Sequence, residues 1–196
     1  MRRALLDAGI ELARAGGPDA IVLREATRRA GVVPNAAYRH FAGRQDLLQA
    51  VRAAALAALA RAMEAELNAI NATLPEDVQA RASLRAIGVG YLRFAQMETG
   101  LFRTAFAVPD EVENDVDPDK AGNSGLNPFQ LLGAALDRMT AAGVLPAERR
   151  PGAEYLAWSA VHGLALLIID GPLRGRPPEE TGAIALRVVE MVEKGL

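Results

Sequence analysis

The chain of 196 residues contains no cysteine, two histidines and few aromatic residues, 5% of the total. Without cysteine, disulfide bonds and thiolate metal sites are excluded. The longest apolar stretch, within residues 160–169, is interrupted by His162 and is far shorter than the roughly 20 residues that cross a bilayer. The first residues include two arginines but no apolar segment with a cleavage site. We therefore expect a cytoplasmic protein with no signal peptide.

Motifs for catalysis, cofactors or metals are also missing. The sequence has no ExxH or HExxH pair, no phosphate-binding glycine loop and no nucleophile elbow. The acidic residues between positions 110 and 119 do not have the spacing of a calcium loop. We therefore expect no enzymatic activity, no catalytic residues, no cofactor and no bound metal.

What the sequence does contain is typical of helices. Half of the residues are hydrophobic, and alanine and leucine dominate. Apolar residues recur every three or four positions between glycine and proline breaks, and no segment resembles a strand. Residues 109–128, rich in Asp, Glu, Gly, Asn and Pro, have loop chemistry. The pattern predicts an all-α fold of about nine helices over residues 2–15, 23–30, 34–41, 44–72, 78–97, 101–106, 129–142, 153–169 and 179–194.

The first three helices are short and have the spacing of a helix-turn-helix unit. Gly31 separates the second from the third, and Pro34 suits the first position of a helix because its missing N–H would have no partner there. Ala42 and Gly43 end the third helix before a long one begins. We therefore predict a helix-turn-helix domain over residues 1–43 and a helical domain over residues 44–196.

Charge divides the chain in the same way. Residues 1–52 contain nine arginines and five acidic residues, a net charge of +4, whereas the remainder carries −6. A basic head on an acidic body suggests that only the head meets a polyanion.

The segment around the third helix has the side chains of a major-groove reader. Asn35 and Arg39 are candidates to read base edges, because an amide suits adenine and a guanidinium suits guanine. We expect Ala37 and Phe41 to point inward. Ala36 is a candidate to contact a thymine methyl. Arg24, on the second helix, is a candidate to contact a base or a phosphate, and the phosphate donors are Tyr38, His40 and Arg44. The full set of candidate DNA contacts is Arg24, Pro34, Asn35, Ala36, Tyr38, Arg39, His40 and Arg44.

The segment LREATRRAGVVPNAAYRHFAGRQDLLQAV, residues 23–51, resembles the DNA-binding domain of the TetR family of transcriptional regulators. Further along, AWSAVHG resembles the tryptophan-histidine-glycine signature of one TetR C-terminal subclass. Two departures concern helix starts, since Val22 and Val33 stand where the family usually has a capping Ser or Thr. Each missing cap should cost about 1 kcal/mol.

This resemblance implies a homodimer formed by the last two helices, a near-palindromic operator, and a ligand cavity among the middle helices. The nearly all-apolar helix at 153–169 independently favours a partner, because it must be buried on more than one side. The predicted cavity takes a small, largely apolar effector. Its candidate lining residues are Tyr91, Phe94, Met97, Phe102, Phe106, Leu131, Leu132, Ala135, Met139, Trp158 and His162.

Together these observations favour a DNA-binding transcriptional regulator, a ligand-responsive repressor whose effector releases it from double-stranded DNA. The alternative interpretation is a helical dimer that binds proteins and does not bind DNA.

Overall fold

Nine α-helices, three single turns of 3₁₀ helix and their connections make up residues 1–109 and 111–196, which the computed structural model describes. No strand occurs in these two ranges. The all-α prediction and the order of the helices are confirmed. The helices are α1 Arg2–Gly16, α2 Leu23–Arg29, α3 Pro34–Ala37, α4 Arg44–Asn68, α5 Glu76–Met97, α6 Thr99–Ala105, α7 Pro128–Ala141, α8 Ala153–Ile169 and α9 Pro178–Gly195.

The first three helices and the start of α4 form a small head. Helix α1 ends at Gly17, whose φ of 69° is a conformation that glycine adopts without strain. Between α2 and α3, Gly31 has a φ of 63°, and the N–H of Val32 donates to the carbonyl of Thr27 at 3.0 Å. Phe41, 1% exposed, packs in the core of the head. The turn glycine therefore sets the angle between α2 and α3.

Helices α3 and α4 end four residues earlier than predicted, and most other helix boundaries shift by one or two residues. Helix α3 has only four residues, and the N–H groups of Arg39 and His40 continue as turns onto the carbonyls three residues before them. Helix α4 ends at Asn68 instead of residue 72, because the Asn71 side chain accepts a hydrogen bond from the N–H of Thr73 and favours a turn. Helix α5 begins directly after Pro75, with two acidic residues in its first turn that favour the helix dipole.

The body is arranged around α4 and α5. Helix α4 packs against α5, α6 and α7, and α5 packs against α7, α8 and α9. A Cβ on Gly90 would lie 2.7 Å from the Cα of Met63, so α4 and α5 approach more closely than a side chain would allow. One core runs from the head into the body along these two helices.

The loop between α6 and α7 is attached to α4 by a buried carboxylate. Glu64, 6% exposed, accepts hydrogen bonds from the N–H of Asn123 at 2.8 Å and from the N–H and hydroxyl of Ser124 at 2.9 and 2.6 Å. Burial alone would raise the pKa of Glu64, but these hydrogen bonds and nearby Arg61 hold that pKa below its ordinary value. The carboxylate is therefore charged at neutral pH and fixes the loop.

Head and body also meet where α6 touches the end of α1. A Cβ on Gly100 would overlap the carbonyl oxygens of Ala13 and Arg14. Beside this contact, Arg14 Nε donates to Glu98 at 3.0 Å. The two backbones are thus in direct contact.

Candidate nucleic-acid interface and internal cavity

The exposed face of the third helix carries most of the predicted DNA-contacting side chains. Asn35, Tyr38, Arg39 and His40 are all exposed, with Tyr38 at 61%. Ala36 is half-buried, and the side chain of Pro34 lies outside the described part of the chain. Ala37 and Phe41 are buried beneath this face, as predicted. The segment therefore separates an inner packing face from an outer polar one.

The arginines of α2 and of the segment after α3 are of two kinds, paired and accessible. Glu25 accepts hydrogen bonds from Arg28 at 2.7 and 2.8 Å and from Arg29 at 3.1 Å, and these bonds lower the pKa of Glu25 to about 2. Arg24 and Arg39 are exposed, and no described residue forms a hydrogen bond or ion pair with either side chain. Their guanidinium groups can therefore bind a polyanion without giving up an ion pair.

Arg44, predicted to hold a phosphate, has a structural role that the sequence did not reveal. Its Nε donates to the carbonyl of Ile21 and its Nη2 to the carbonyl of Pro18, both at 2.9 Å. These bonds connect the start of α4 to the turn before α2. The side chain is 45% exposed, so part of the guanidinium remains accessible at the surface.

Inside the body lies a cavity of about 740 Å³, bounded by α4 to α9 and the α6–α7 loop. Five of the predicted lining residues contact it: Tyr91, Phe106, Leu132, Trp158 and His162. Six do not: Phe94, Met97, Phe102, Leu131, Ala135 and Met139. A cavity of this size can enclose a small organic molecule.

Burial and helix geometry explain the six residues that do not line the cavity, of which Phe94 is buried in the core. Met97 is 77% exposed on the outer surface of α5. Leu131, Ala135 and Met139 share one face of α7, which is buried in the helix-packing core, whereas Leu132 lies on the neighbouring face. Phe102 is fully buried behind Phe106, with ring centroids 5.0 Å apart. Apolar character alone did not separate the core face of each helix from its cavity face.

Several residues that line the cavity were not predicted from the sequence. Those on α5 and α8 lie about one turn from predicted ones, so the helical period could have suggested them, whereas the loop and α4 residues gave no signal. The principal missed residues are Arg52, Leu56, Met63, Leu84, Ile87, Val112, Asp115, Lys120, Asn127, Phe129, Tyr155, Leu156, Val161, Val189 and Val192.

One wall of the cavity carries a chain of three hydrogen-bonded side chains. Trp158 Nε1 donates to the Tyr91 hydroxyl at 3.1 Å, and that hydroxyl lies 2.6 Å from Nδ1 of His162. Burial raises the pKa of Tyr91 and lowers the pKa of His162. All three groups are therefore neutral at pH 7.

Charged groups lie at the part of the wall formed by α4 and the loop. Arg52, 4% exposed, donates to the carbonyl of Val108 at 2.9 Å and to Gln49 at 2.6 Å. Lys120 pairs with Asp115 at 2.5 Å. The cationic groups that reach the cavity thus bond to atoms of the protein itself.

Apolar side chains are exposed along one stripe of α8 and at two positions of α9. The exposed fractions are 43% and 44% for Leu166 and Leu167, 58% for Leu186 and 60% for Met191. A Cβ on Gly163, within the α8 stripe, would meet no atom within 4 Å. These exposed apolar residues are candidates for contact with a partner.

Metal clusters and membrane-spanning helices are both missing from the described residues. No group of three or more His, Asp or Glu side chains there could hold a metal ion. Likewise, none of the described helices has the length and apolar character to cross a membrane.

Comparison with known proteins assigns both parts of the chain. Residues 5–51 match the family described as bacterial regulatory proteins, tetR family. Residues 84–192 match the family described as tetracyclin repressor-like, C-terminal domain. A search of curated proteins finds no match.

Solved structures with the same fold include three that cover essentially the whole chain. A protein of unknown function from Rhodococcus sp. RHA1 is 25% identical, with a TM-score of 0.77 over 100% of this chain and 94% of that one. A putative tetR family transcription regulator from Shewanella sp. PV-4 is 14% identical, with a TM-score of 0.63 over 99% and 96%. PfmR, a TetR family transcriptional regulator from Thermus thermophilus, is 18% identical, with a TM-score of 0.61 over 100% and 97%.

A basic helix-turn-helix head on a helical body defines a DNA-binding transcriptional regulator. The match over residues 84–192 covers more than half of the chain, and the chain belongs to the TetR family.

Proposed function

We propose that this regulator is a ligand-responsive repressor that binds a near-palindromic operator as a homodimer and leaves DNA when a small, largely apolar effector fills the cavity. The observation that carries this proposal is that α4 belongs to both sites. It starts in the head at Arg44 and contributes Arg52, Leu56 and Met63 to the cavity wall. The tryptophan-histidine-glycine subclass and the domain boundary after residue 43 belong to the same proposal.

On DNA, the outer face of α3 and of the turn after it, residues 34–40, reads bases. Asn35 and Arg39 contact base edges in the major groove, and Ala36 allows close approach to a thymine methyl. Tyr38, His40, Arg24 and the exposed part of Arg44 contact phosphates, and Pro34 begins the helix. Apart from half-buried Ala36, the described side chains in this set are exposed, which supports these roles.

Dimerisation uses the exposed apolar residues of α8 and α9. Leu167, Leu186 and Met191 become buried against a second copy, and Gly163 lets the two α8 helices approach closely. A two-fold dimer places two α3 helices about one turn of DNA apart, which requires the near-palindromic operator.

Effector release works by a shift between two arrangements of α4. A ligand that enlarges or reshapes the cavity displaces α4 and changes the separation of the two α3 helices. Nearly complete release requires the ligand to favour the DNA-incompetent state by about 5 kcal/mol. Binding an effector without any change in operator affinity would contradict this mechanism.

The experiment that tests the function is selection of bound fragments from random DNA, followed by variants of α3. We expect a near-palindromic site. Asn35→Ala or Arg39→Ala should relax preference at one base position per half-site and cost about 1–3 kcal/mol. Arg149→Ala, between α7 and α8, is the matched control and should leave both sequence preference and affinity unchanged.

Salt dependence separates this function from a protein-interaction module. Several phosphate contacts should make DNA affinity fall steeply between low and moderate salt. If no sequence is enriched and weak binding is unaffected by the α3 variants, the head does not read DNA and the alternative interpretation stands.

A further inference from the structure

The hydrogen-bonded chain on the cavity wall has a defined direction. Trp158 can only donate, so the Tyr91 oxygen accepts from it. Tyr91 is 4% exposed, and the one described acceptor within reach of its O–H is Nδ1 of His162. The arrangement that satisfies every polar atom therefore has Tyr91 donating to Nδ1, which places the proton of the neutral imidazole on Nε2.

The Nε2–H of His162 is left for a ligand. His162 lines the cavity, and no described residue accepts a hydrogen bond from its Nε2. That nitrogen is not fully buried, so a small molecule in the cavity can reach it. Around it lie aromatic rings, with the centroid of Phe106 4.9 Å and that of Trp158 5.9 Å from the imidazole.

We propose that the effector is a neutral, largely apolar molecule with a hydrogen-bond acceptor, such as a ketone or ester carbonyl, that binds the Nε2–H of His162. This inference deepens the proposed function, on which it rests for taking the cavity as the effector site. Tyr91 and Trp158 act as positioning residues, because they set which ring nitrogen of His162 carries the proton.

The rest of the wall favours a neutral ligand over an anion. The cations in the lining already bond to the protein: Arg52 to the Val108 carbonyl and Lys120 to Asp115. An anionic ligand would have to displace these bonds and enter an otherwise apolar space, which is costly for a charge. A carbonyl needs only the one donor that His162 supplies.

Three probes of similar size test this inference on the full-length protein without DNA. Butyrophenone offers a carbonyl acceptor, butylbenzene offers none, and 4-phenylbutyrate carries a charge. Calorimetry gives their dissociation constants. The indole N–H resonance of Trp158, the chain's single tryptophan, reports whether each probe enters the cavity. We expect butyrophenone to bind about tenfold more tightly than butylbenzene, and 4-phenylbutyrate more weakly than butyrophenone.

Variants then locate the donor. His162→Phe keeps a ring of similar size but has no donor, so butyrophenone and butylbenzene should bind it about equally. His162→Gln has an amide donor and should restore part of the preference for butyrophenone. Tyr91→Phe should lower the preference for butyrophenone, because the imidazole of His162 loses its hydrogen bond from the Tyr91 hydroxyl. Leu132→Val, elsewhere on the wall, is the matched control and should weaken both uncharged probes equally.

Three results would overturn the inference: a preference that persists in His162→Phe, tighter binding of 4-phenylbutyrate, or no perturbation of the Trp158 resonance by any probe. Failure of the proposed function appears differently. In that case the carbonyl preference depends on His162 as expected, but the protein selects no operator from random DNA.

Discussion

Replacing the buried carboxylate of Glu64 by its amide, Glu64→Gln, should destabilise the protein by removing the attachment of the α6–α7 loop to α4. One carboxylate oxygen accepts from Asn123 and the other accepts two bonds from Ser124. A glutamine has only one acceptor oxygen. Its NH₂ group must therefore face the donors of either Asn123 or Ser124, and the hydrogen bonds at that position are lost. Hydrogen bonds to charged groups contribute about 1.5–3 kcal/mol each. We expect a loss of about 2–3 kcal/mol at pH 7.

The assay is thermal unfolding of both proteins over a range of pH. For a chain of this length, that loss corresponds to a fall in Tm of about 5–10 °C. The pKa of Glu64 lies below its ordinary value of 4.5 in the folded protein. Its charge therefore stabilises the fold fully above pH 4.5, and this contribution is lost as the pH falls through the folded-state pKa. The difference in Tm should accordingly be constant near neutral pH and shrink in acid.

A control and a refuting result follow from the same structure. Glu11→Gln, on the exposed face of α1, should change Tm by less than about 1 °C, because surface substitutions have small effects. If Glu64→Gln has an equally small effect at pH 7, or if its effect is the same at pH 7 and in acid, the loop is not held by a charged carboxylate.

Two further variants test other elements. Val22→Ser should raise the free energy of unfolding by about 1 kcal/mol, because Val22 caps α2 with extended backbone but no side-chain hydrogen bond. Glu25 already stands at the position that completes a capping box. A chemical denaturation curve measures this gain, and no gain would show that the start of α2 needs no side-chain cap. If the proposed homodimer forms through α8 and α9, Leu186→Arg should shift it to monomer in light scattering. Met97→Arg, on α5 and even more exposed than Leu186, is the control and should not; an unchanged dimer would place the interface elsewhere.

The head was the most predictable part of the molecule. Its turns depend on local signals, such as Gly31 between α2 and α3 and Gly43 before α4. The inward positions of Ala37 and Phe41 followed from helical spacing alone. Local rules sufficed because each of these features depends on residues only a few positions apart.

The cavity was predicted only in part, because its walls depend on contacts between distant segments. Glu64 and Ser124 are 60 positions apart, and no local pattern connects a charged residue of α4 with a loop serine. Similarly, the Arg44 side chain bonds to carbonyls more than 20 residues earlier, whereas its charge alone suggested a phosphate contact. Phe106 and Met97 were equally apolar candidates, yet only Phe106 faces the cavity.

The contact between α6 and α1 gives the cavity a second connection to the head. Helix α6 has seven residues. Gly100 near its start touches the α1 backbone, while Ala105 and Phe106 at its end line the cavity. Since no side chain separates the two backbones, α6 touches the end of α1 directly. If the cavity holds an effector as proposed, a ligand that moves Phe106 should therefore also displace the end of α1, a path to the head that does not pass through α4.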